Sequence, residues 1–279
     1  MPTSFQQLVK NWSAQLTQYE PAEAENLIFW LLEHHVGMKR VDVRLLTKGE
    51  EFSPMLLADF ERLKSGEPIQ YIFGKAPFYG REFLVTPDTL IPRNETEELV
   101  HLIIKENPMP GLKIMDIGTG TGCIPITLAL EMKTPEVYGL DISDAALQIA
   151  KRNAERLLAN VKFEHCDILL QTPSTGDLDI LVSNPPYVPE SDKQQMHENV
   201  VAHEPWIALF VPDGDPMLFY RTIAKKGRQM LKPEGKIYFE IYEHYADKVE
   251  KLLVDLGYQS VKILTDLNGK KRMSSAVFR

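Results

Sequence analysis

Residues 113–122 read Lys113-Ile114-Met115-Asp116-Ile117-Gly118-Thr119-Gly120-Thr121-Gly122, and they decide the fold. Residues 113–117 are an apolar run of strand type. The alternating glycines after it let the backbone turn tightly into a helix over 123–131. Such a turn allows close backbone approach to a ligand, and the helix N-terminus behind it offers N–H groups to an anion. A dinucleotide-binding turn of the G-x-G-x-x-G type needs glycine at 123, where this chain has Cys123. A pyrophosphate ligand is therefore disfavoured.

Strand and helix signals alternate from there to the end. Strands are predicted over 137–141, 161–164, 178–182 and 236–241. Helices are predicted over 143–158, capped by Ser143, over 217–231, stopped near Pro233 and Gly235, and over 245–256. Two last strands, 260–264 and 273–278, flank the turn Asn268-Gly269. The fold class is α/β, a doubly wound and mostly parallel sheet whose closing hairpin supplies one antiparallel strand.

Upstream of the sheet the signal is helical. Leu27, Trp30, Leu31 and His34 share one spacing and Leu56, Leu57, Phe60 and Leu63 another, and Ser53-Pro54 reads as a cap with a proline in the first turn. Aromatic and β-branched residues over 71–85, around Gly74 and Gly80, predict a hairpin. The organisation expected is a helical domain over 1–73, a hairpin linker over 74–90 and a sheet domain over 91–279. His34-His35 is not a metal site, because adjacent residues point to different faces of a helix.

The chain has 279 residues, 44% hydrophobic and 25% charged, with a formal net charge of -8. That charge argues against a broad grip on nucleic acid or an anionic membrane. Cys123 and Cys166 read as small buried hydrophobes, and no metal-ligand spacing surrounds them. The first residues lack a basic segment followed by an apolar one, and no run reaches the roughly 20 apolar residues of a membrane span. A cytoplasmic monomer without metal is expected.

Candidate site residues gather at strand ends. Asp141 can accept hydrogen bonds from both hydroxyls of a ribose, and Asp167, with Ile168 beside it, can meet an adenine amino group. With Asp116, Gly118, Thr119, Gly120, Thr121 and Gly122 they suit a nucleoside without phosphates and with an amino-acid tail, S-adenosylmethionine. The strand over 178–182 runs into Asn184-Pro185-Pro186-Tyr187. The Asn184 side-chain oxygen and the Pro185 carbonyl can accept both hydrogens of a planar amino group and aim its nitrogen. Acceptors of this kind also stabilise the positive charge that grows on such a nitrogen. The Tyr187 ring, rather than its hydroxyl, would pack on the flat substrate group. Asn184, Pro185 and Tyr187 are the candidate catalytic residues, and Pro186 joins them in holding substrate.

The glycine turn followed by Asn184-Pro185-Pro186-Tyr187 resembles class I methyltransferases that act on amide or exocyclic amino nitrogen. Gln70-Tyr71-Ile72-Phe73-Gly74, Phe78-Tyr79-Gly80-Arg81-Glu82-Phe83 and Leu90-Ile91-Pro92-Arg93-Asn94-Glu95-Thr96-Glu97 resemble the HemK-type protein-glutamine N5-methyltransferases over essentially the whole chain. The resemblance implies a Rossmann-like domain with a seven-stranded sheet. It also implies a substrate, the glutamine of a Gly-Gly-Gln tripeptide in peptide chain release factors. Glu95-Thr96-Glu97 favours that branch over the sister enzymes acting on a ribosomal-protein glutamine. A DNA-base amino-methyltransferase would use the same Asn-Pro-Pro-Tyr chemistry but should add a basic recognition region, which is not visible. The chain departs from the family at Asn94, read as a helix cap with Glu97 three residues on, at 210–216, and at Tyr242. The helical domain is expected to recognise the folded substrate, since a loop-borne glutamine offers few atoms.

Overall fold

Alternation along the strand Lys113–Ile117 assigns its two faces to different layers. Ile114 packs with Leu99, Val100 and Ile103 on one side, while Met115 and Ile117 pack with Tyr220 and Ile223 on the other. A computed structural model describes residues 5–37, 39–41 and 53–279. The first residues of the N-terminal segment therefore lie outside the described residues. The chain divides into two compact units, Met1–Gly74 with His197–His203, and Lys75–Met196 with Glu204–Arg279.

The first unit is helical. Phe5–Ser13, Pro21–Val36, Pro54–Lys64 and Ile69–Phe73 are α-helices. Leu16, Ile28, Leu31, Leu32, Leu56 and Leu63 fill its core, and Trp12 stacks on Phe60 with centroids 4.2 Å apart. Ser53 caps its helix through Oγ, which accepts from Leu56 N at 3.1 Å. Trp30, at the spacing of Leu27 and Leu31, instead faces solvent. His34 stacks on Phe73, and His35 Nε2 lies 2.9 Å from Asp59 Oδ2. Residues 71–73, read as the start of a hairpin, complete the helix Ile69–Phe73. Ile69 and Ile72 bury into the helical core, and Gly74 at φ 67° ends the helix in the left-handed region.

The second unit opens with a hairpin of β1 (Lys75–Phe78) and β2 (Arg81–Leu84). Its two loop residues, Tyr79 and Gly80, both have positive φ, so the turn matches the twist of the strands. The strands that follow are β3 (Lys113–Ile117), β4 (Glu136–Asp141), β5 (Val161–His165) and β6 (Leu178–Ser183). After them come the short β7 (Val188–Pro189) and β8 (Phe210–Val211), then β9 (Leu231–Glu240), β10 (Gln259–Thr265) and β11 (Lys271–Val277). Seven of these form one sheet in the order β10-β11-β9-β6-β3-β4-β5. Only β11 opposes its neighbours, as the closing hairpin implies.

Two boundaries differ from the sequence expectation. The helix Leu218–Met230 ends before Pro233, and β9 starts at Leu231 because Pro233 and Gly235 sit in a bulge within the strand. A Cβ on Gly235 would stand 2.8 Å from Lys232 O and 2.9 Å from Leu178 O, so the bulge requires glycine. Asn94 does not cap the helix Asn94–Glu106. Arg93 holds the cap position without a side-chain bond, and Glu97 Oε1 accepts instead from Tyr79 N at 2.8 Å.

Candidate active site

Parallel pairing of β3 with β6 sets Ile117 opposite Ser183, whose Oγ donates to Ile117 O at 2.6 Å. Gly118 and Asn184, the next residues of each strand, therefore leave the sheet side by side. This is the point where the strand order reverses, between the run toward β4 and β5 and the run toward β6 and β9, and open α/β sheets bind ligands at such a point. β4 delivers Asp141 to the same edge, β5 is followed by Asp167, and β9 ends in Glu240.

A cavity of about 220 Å³ opens there. Of the residues predicted from sequence, Gly118, Gly120, Asp141, Asp167 and Ile168 line it, and so do Asn184, Pro185 and Pro186. Asp116, Thr119, Thr121, Gly122 and Tyr187 do not. Sequence reasoning missed Asp88, Thr89 and Leu90 after the hairpin, and Ile207 and Phe219 on the far wall. The charged lining residues are Asp88, Asp141 and Asp167, and among the described residues no Lys, Arg or His joins them. Such a wall repels a polyanion and favours a cation.

The glycine turn is not an anion nest. Gly118 N and Thr119 N donate to Leu140 O at 2.9 and 2.8 Å, Gly122 N to Thr119 O at 2.8 Å, and Gly120 N to Asp141 Oδ2 at 2.8 Å. These donors, expected to face a ligand, are spent on β4 and within the turn itself. What faces the cavity is bare backbone: Gly118 and Gly120 have φ of +77° and +52°, and a Cβ on either would meet no atom within 4 Å. Gly122 serves packing, since a Cβ there would stand 2.9 Å from Ile126 Cδ1 and 3.1 Å from Ala150 Cβ.

Asp141 accepts from Ser143 N at 2.9 Å through its other oxygen, so its carboxylate braces the turn while facing the cavity. Asp167 Oδ1 accepts from Leu169 N at 2.8 Å. Asp116 shares the period of Ile114 and is buried in the apolar layer, and neither of its oxygens has a hydrogen-bond partner. Burial pushes its carboxyl up to about 7, with the Thr119 hydroxyl pulling the other way and Asp141 adding to the rise. A proton on Asp116 therefore belongs to the folded state. Stability from this group is complete below the ordinary aspartate range, is lost as pH rises toward 7, and stays lost above it. Asp116→Asn should accordingly melt higher than the wild type at pH 8, by on the order of a few kcal/mol, and the difference should vanish near pH 4. Parallel melts across this range check it; a constant difference at all pH values would show that folding does not raise the Asp116 carboxyl.

Asn184 Nδ2 donates to Thr96 Oγ1 at 3.2 Å, and Thr96 Oγ1 donates to Glu240 Oε2 at 2.5 Å. Tyr187 OH donates to Glu240 Oε1 at 3.1 Å, and its ring stacks on Tyr242 at 5.8 Å and 12°. The Tyr187 hydroxyl thus has a partner that the sequence did not indicate, and one ring face is already covered. Burial raises the Tyr187 hydroxyl and the Glu240 carboxyl above their usual ranges. Tyr242, one of the departures read from the sequence, reaches Asp192 Oδ2 through its hydroxyl at 3.1 Å. Within the departing stretch 210–216, Phe210 pairs with Val188, and Asp213 Oδ1 accepts from Ser191 N at 2.8 Å. Both departures thus support the segment that follows Tyr187.

The methyltransferase domain model matches residues 108–263, and the PrmC N-terminal domain model matches residues 7–74. The release factor glutamine methyltransferase of Bacteroides thetaiotaomicron is 48% identical over 266 residues, covering 92% of this chain and 94% of that protein. The enzyme of that name from Bacillus subtilis is 39% identical, covering 99% and 98%. This chain belongs to the release factor glutamine methyltransferase family. Among solved structures, a methyltransferase from Pyrococcus furiosus superposes with a TM-score of 0.54 at 19% identity, covering 78% of this chain and 96% of that one. A 16S rRNA N2 G1207 methyltransferase from T. thermophilus gives 0.52 at 17%, covering 74% and 50%. These two likenesses concern the fold alone, the Rossmann-like sheet that members of this family share.

Proposed function

We propose that the protein transfers a methyl group from S-adenosylmethionine to the side-chain amide nitrogen (N5) of the glutamine in the Gly-Gly-Gln tripeptide of peptide chain release factors. The observation that carries this reading is Asn184 on the wall of a cavity whose charged lining residues are all carboxylates. S-adenosylmethionine, when bound, supplies an electrophilic methyl group on a positively charged sulfur. The residues suited to hold it are Gly118 and Gly120 with their open faces, Asp141 for the ribose hydroxyls, and Asp167 with Ile168 for the base. Asp116 lies behind that wall with its carboxyl unpartnered and protonated in the fold, and it would take up a charge only if the ammonium group of the amino-acid end came within its reach.

Asn184 Oδ1 and the Pro185 carbonyl then accept the two N–H bonds of the substrate amide. The lone pair of that nitrogen is delocalised into its own carbonyl, so it attacks poorly unless its orientation is fixed and its growing positive charge is met by acceptors. As the nitrogen gains the methyl group, the bond of that group to sulfur would break to leave a neutral thioether, and the nitrogen would give up one proton to solvent, since among the described residues no Lys, Arg or His lines the cavity. Residues 1–73 recognise the folded substrate, the 74–90 hairpin links them to the catalytic part, and the enzyme works as a monomer on protein.

The test is to offer methyl-labelled S-adenosylmethionine and the full chain a release factor, a ribosomal protein and DNA together. Label on the release factor, lost when its Gly-Gly-Gln glutamine is replaced by alanine, is the expected result. Label only on the ribosomal protein or only on DNA would replace this substrate by one of its rivals.

A further inference from the structure

An asparagine that must present an oxygen to its substrate faces a difficulty: its amide is nearly symmetric in shape, and a half-turn about its last bond would present an NH₂ group instead. Facing a substrate amide with N–H donors, that NH₂ would repel what the oxygen attracts. Asn184 is only half-buried, so packing alone leaves both orientations open. Something chemical must choose between them.

The chain of bonds behind Asn184 makes that choice. Glu240 is buried, 2% exposed, and its two oxygens accept from Thr96 Oγ1 at 2.5 Å and Tyr187 OH at 3.1 Å. A hydroxyl has one proton, and Thr96 has committed its proton to Glu240. The Thr96 oxygen can therefore only accept from Asn184, and Nδ2 lies against it at 3.2 Å. Turning the amide over would set Asn184 Oδ1 against an oxygen with no proton left to share. Tyr187 holds the other carboxylate oxygen, which keeps Glu240 an acceptor on both sides.

Resting on the proposed reaction, we infer that Thr96 and Glu240 are positioning residues: they fix the orientation of the Asn184 amide, so that its oxygen and not its nitrogen meets the substrate. Neither needs to touch substrate or cofactor. Thr96 comes from the helix Asn94–Glu106 and Glu240 from the end of β9, so two distant parts of the chain converge on one proton. Buried polar chains of this kind specify one arrangement when every member is satisfied.

The experiment is steady-state kinetics on the full chain with an intact release factor. Thr96→Val, which keeps the shape and removes the hydroxyl, should lower kcat about tenfold, with KM for the release factor and affinity for S-adenosylhomocysteine within about twofold of wild type. Thr96→Ser should restore kcat to within about threefold. In an Asn184→Ala background, Thr96→Val should cause no further loss, because the group it orients is gone. Should Thr96→Val fold poorly, Glu240→Gln provides the second reading. An amide there can donate to Thr96 and reverse the chain, so kcat should again fall while KM holds. Unchanged kcat in Thr96→Val, equal losses in the Ser and Val variants, or additive losses in the double variant would each overturn the inference. A wild type that turns over no release factor would remove the proposed reaction and this inference with it, whereas wild-type turnover beside an unaffected Thr96→Val removes the inference alone.

Discussion

Asn184→Ala is expected to lower methyl transfer to release factor on the order of 10²-fold or more, while folding and cofactor binding persist. The amide oxygen is proposed to act at the moment the substrate nitrogen begins to carry positive charge, and a preorganised dipole in a water-poor cavity has its greatest effect then. Truncation to alanine removes that dipole and one half of the clamp that aims the nitrogen. Its cost to the fold is small: the side chain donates one bond to Thr96, and a neutral hydrogen bond contributes about 1 kcal/mol net. Thr96 keeps its bond to Glu240, so no buried group is stranded. Initial rates with saturating cofactor, set beside a thermal melt, separate the two effects. A variant within a few-fold of wild type would reduce Asn184 to the cap of β6.

Legibility from sequence was uneven for physical reasons. Strand ends announce themselves, because glycine and proline interrupt the apolar runs at Gly118 and Pro185, and parallel pairing then carries those ends to a common edge. Asp141, the last residue of β4, and Asp167, two residues after β5, are legible as carboxylates at strand ends on that edge. Where the donors of the glycine turn point was not found, because their partner, Leu140 O, belongs to the neighbouring strand. Thr96 and Glu240 lie 144 positions apart, and no periodicity links a residue in a helix to one at the end of a strand. Residues 71–73 read as the start of a hairpin because aromatic and β-branched residues favour strands locally. Burial of Ile69 and Ile72 in the helical core overrode that preference.

Asp141→Ala is expected to weaken binding of the demethylated product, S-adenosylhomocysteine, on the order of 10²-fold. The carboxylate has two tasks. One oxygen accepts from Gly120 N and the other from Ser143 N, which fixes the turn whose open faces form one end of the cavity. The same oxygens keep lone pairs that we propose for the two ribose hydroxyls of the cofactor. Hydrogen bonds to a charged acceptor contribute about 1.5–3 kcal/mol each, so loss of the ribose contacts alone accounts for the expected change. Asp141→Asn should also bind weakly, since an amide has one acceptor for two backbone N–H groups and must set its own NH₂ against one of them. Asp167→Ala should lose less, because its described bond closes a local turn at Leu169. Acidity supplies a second signature. Burial raises the Asp141 carboxyl above the usual aspartate range, while Ser143 and Gly120 pull it back. Binding that needs the ionised form is lost as pH falls through that raised value, so wild-type affinity should begin to decline at a higher pH than an ordinary aspartate would give, and Asp141→Asn should lack this decline. Titration calorimetry of the wild type and the three variants at neutral and acidic pH reads all of this. Equal affinity in wild type and Asp141→Ala would remove Asp141 from the cofactor site and leave it only the bracing of the turn.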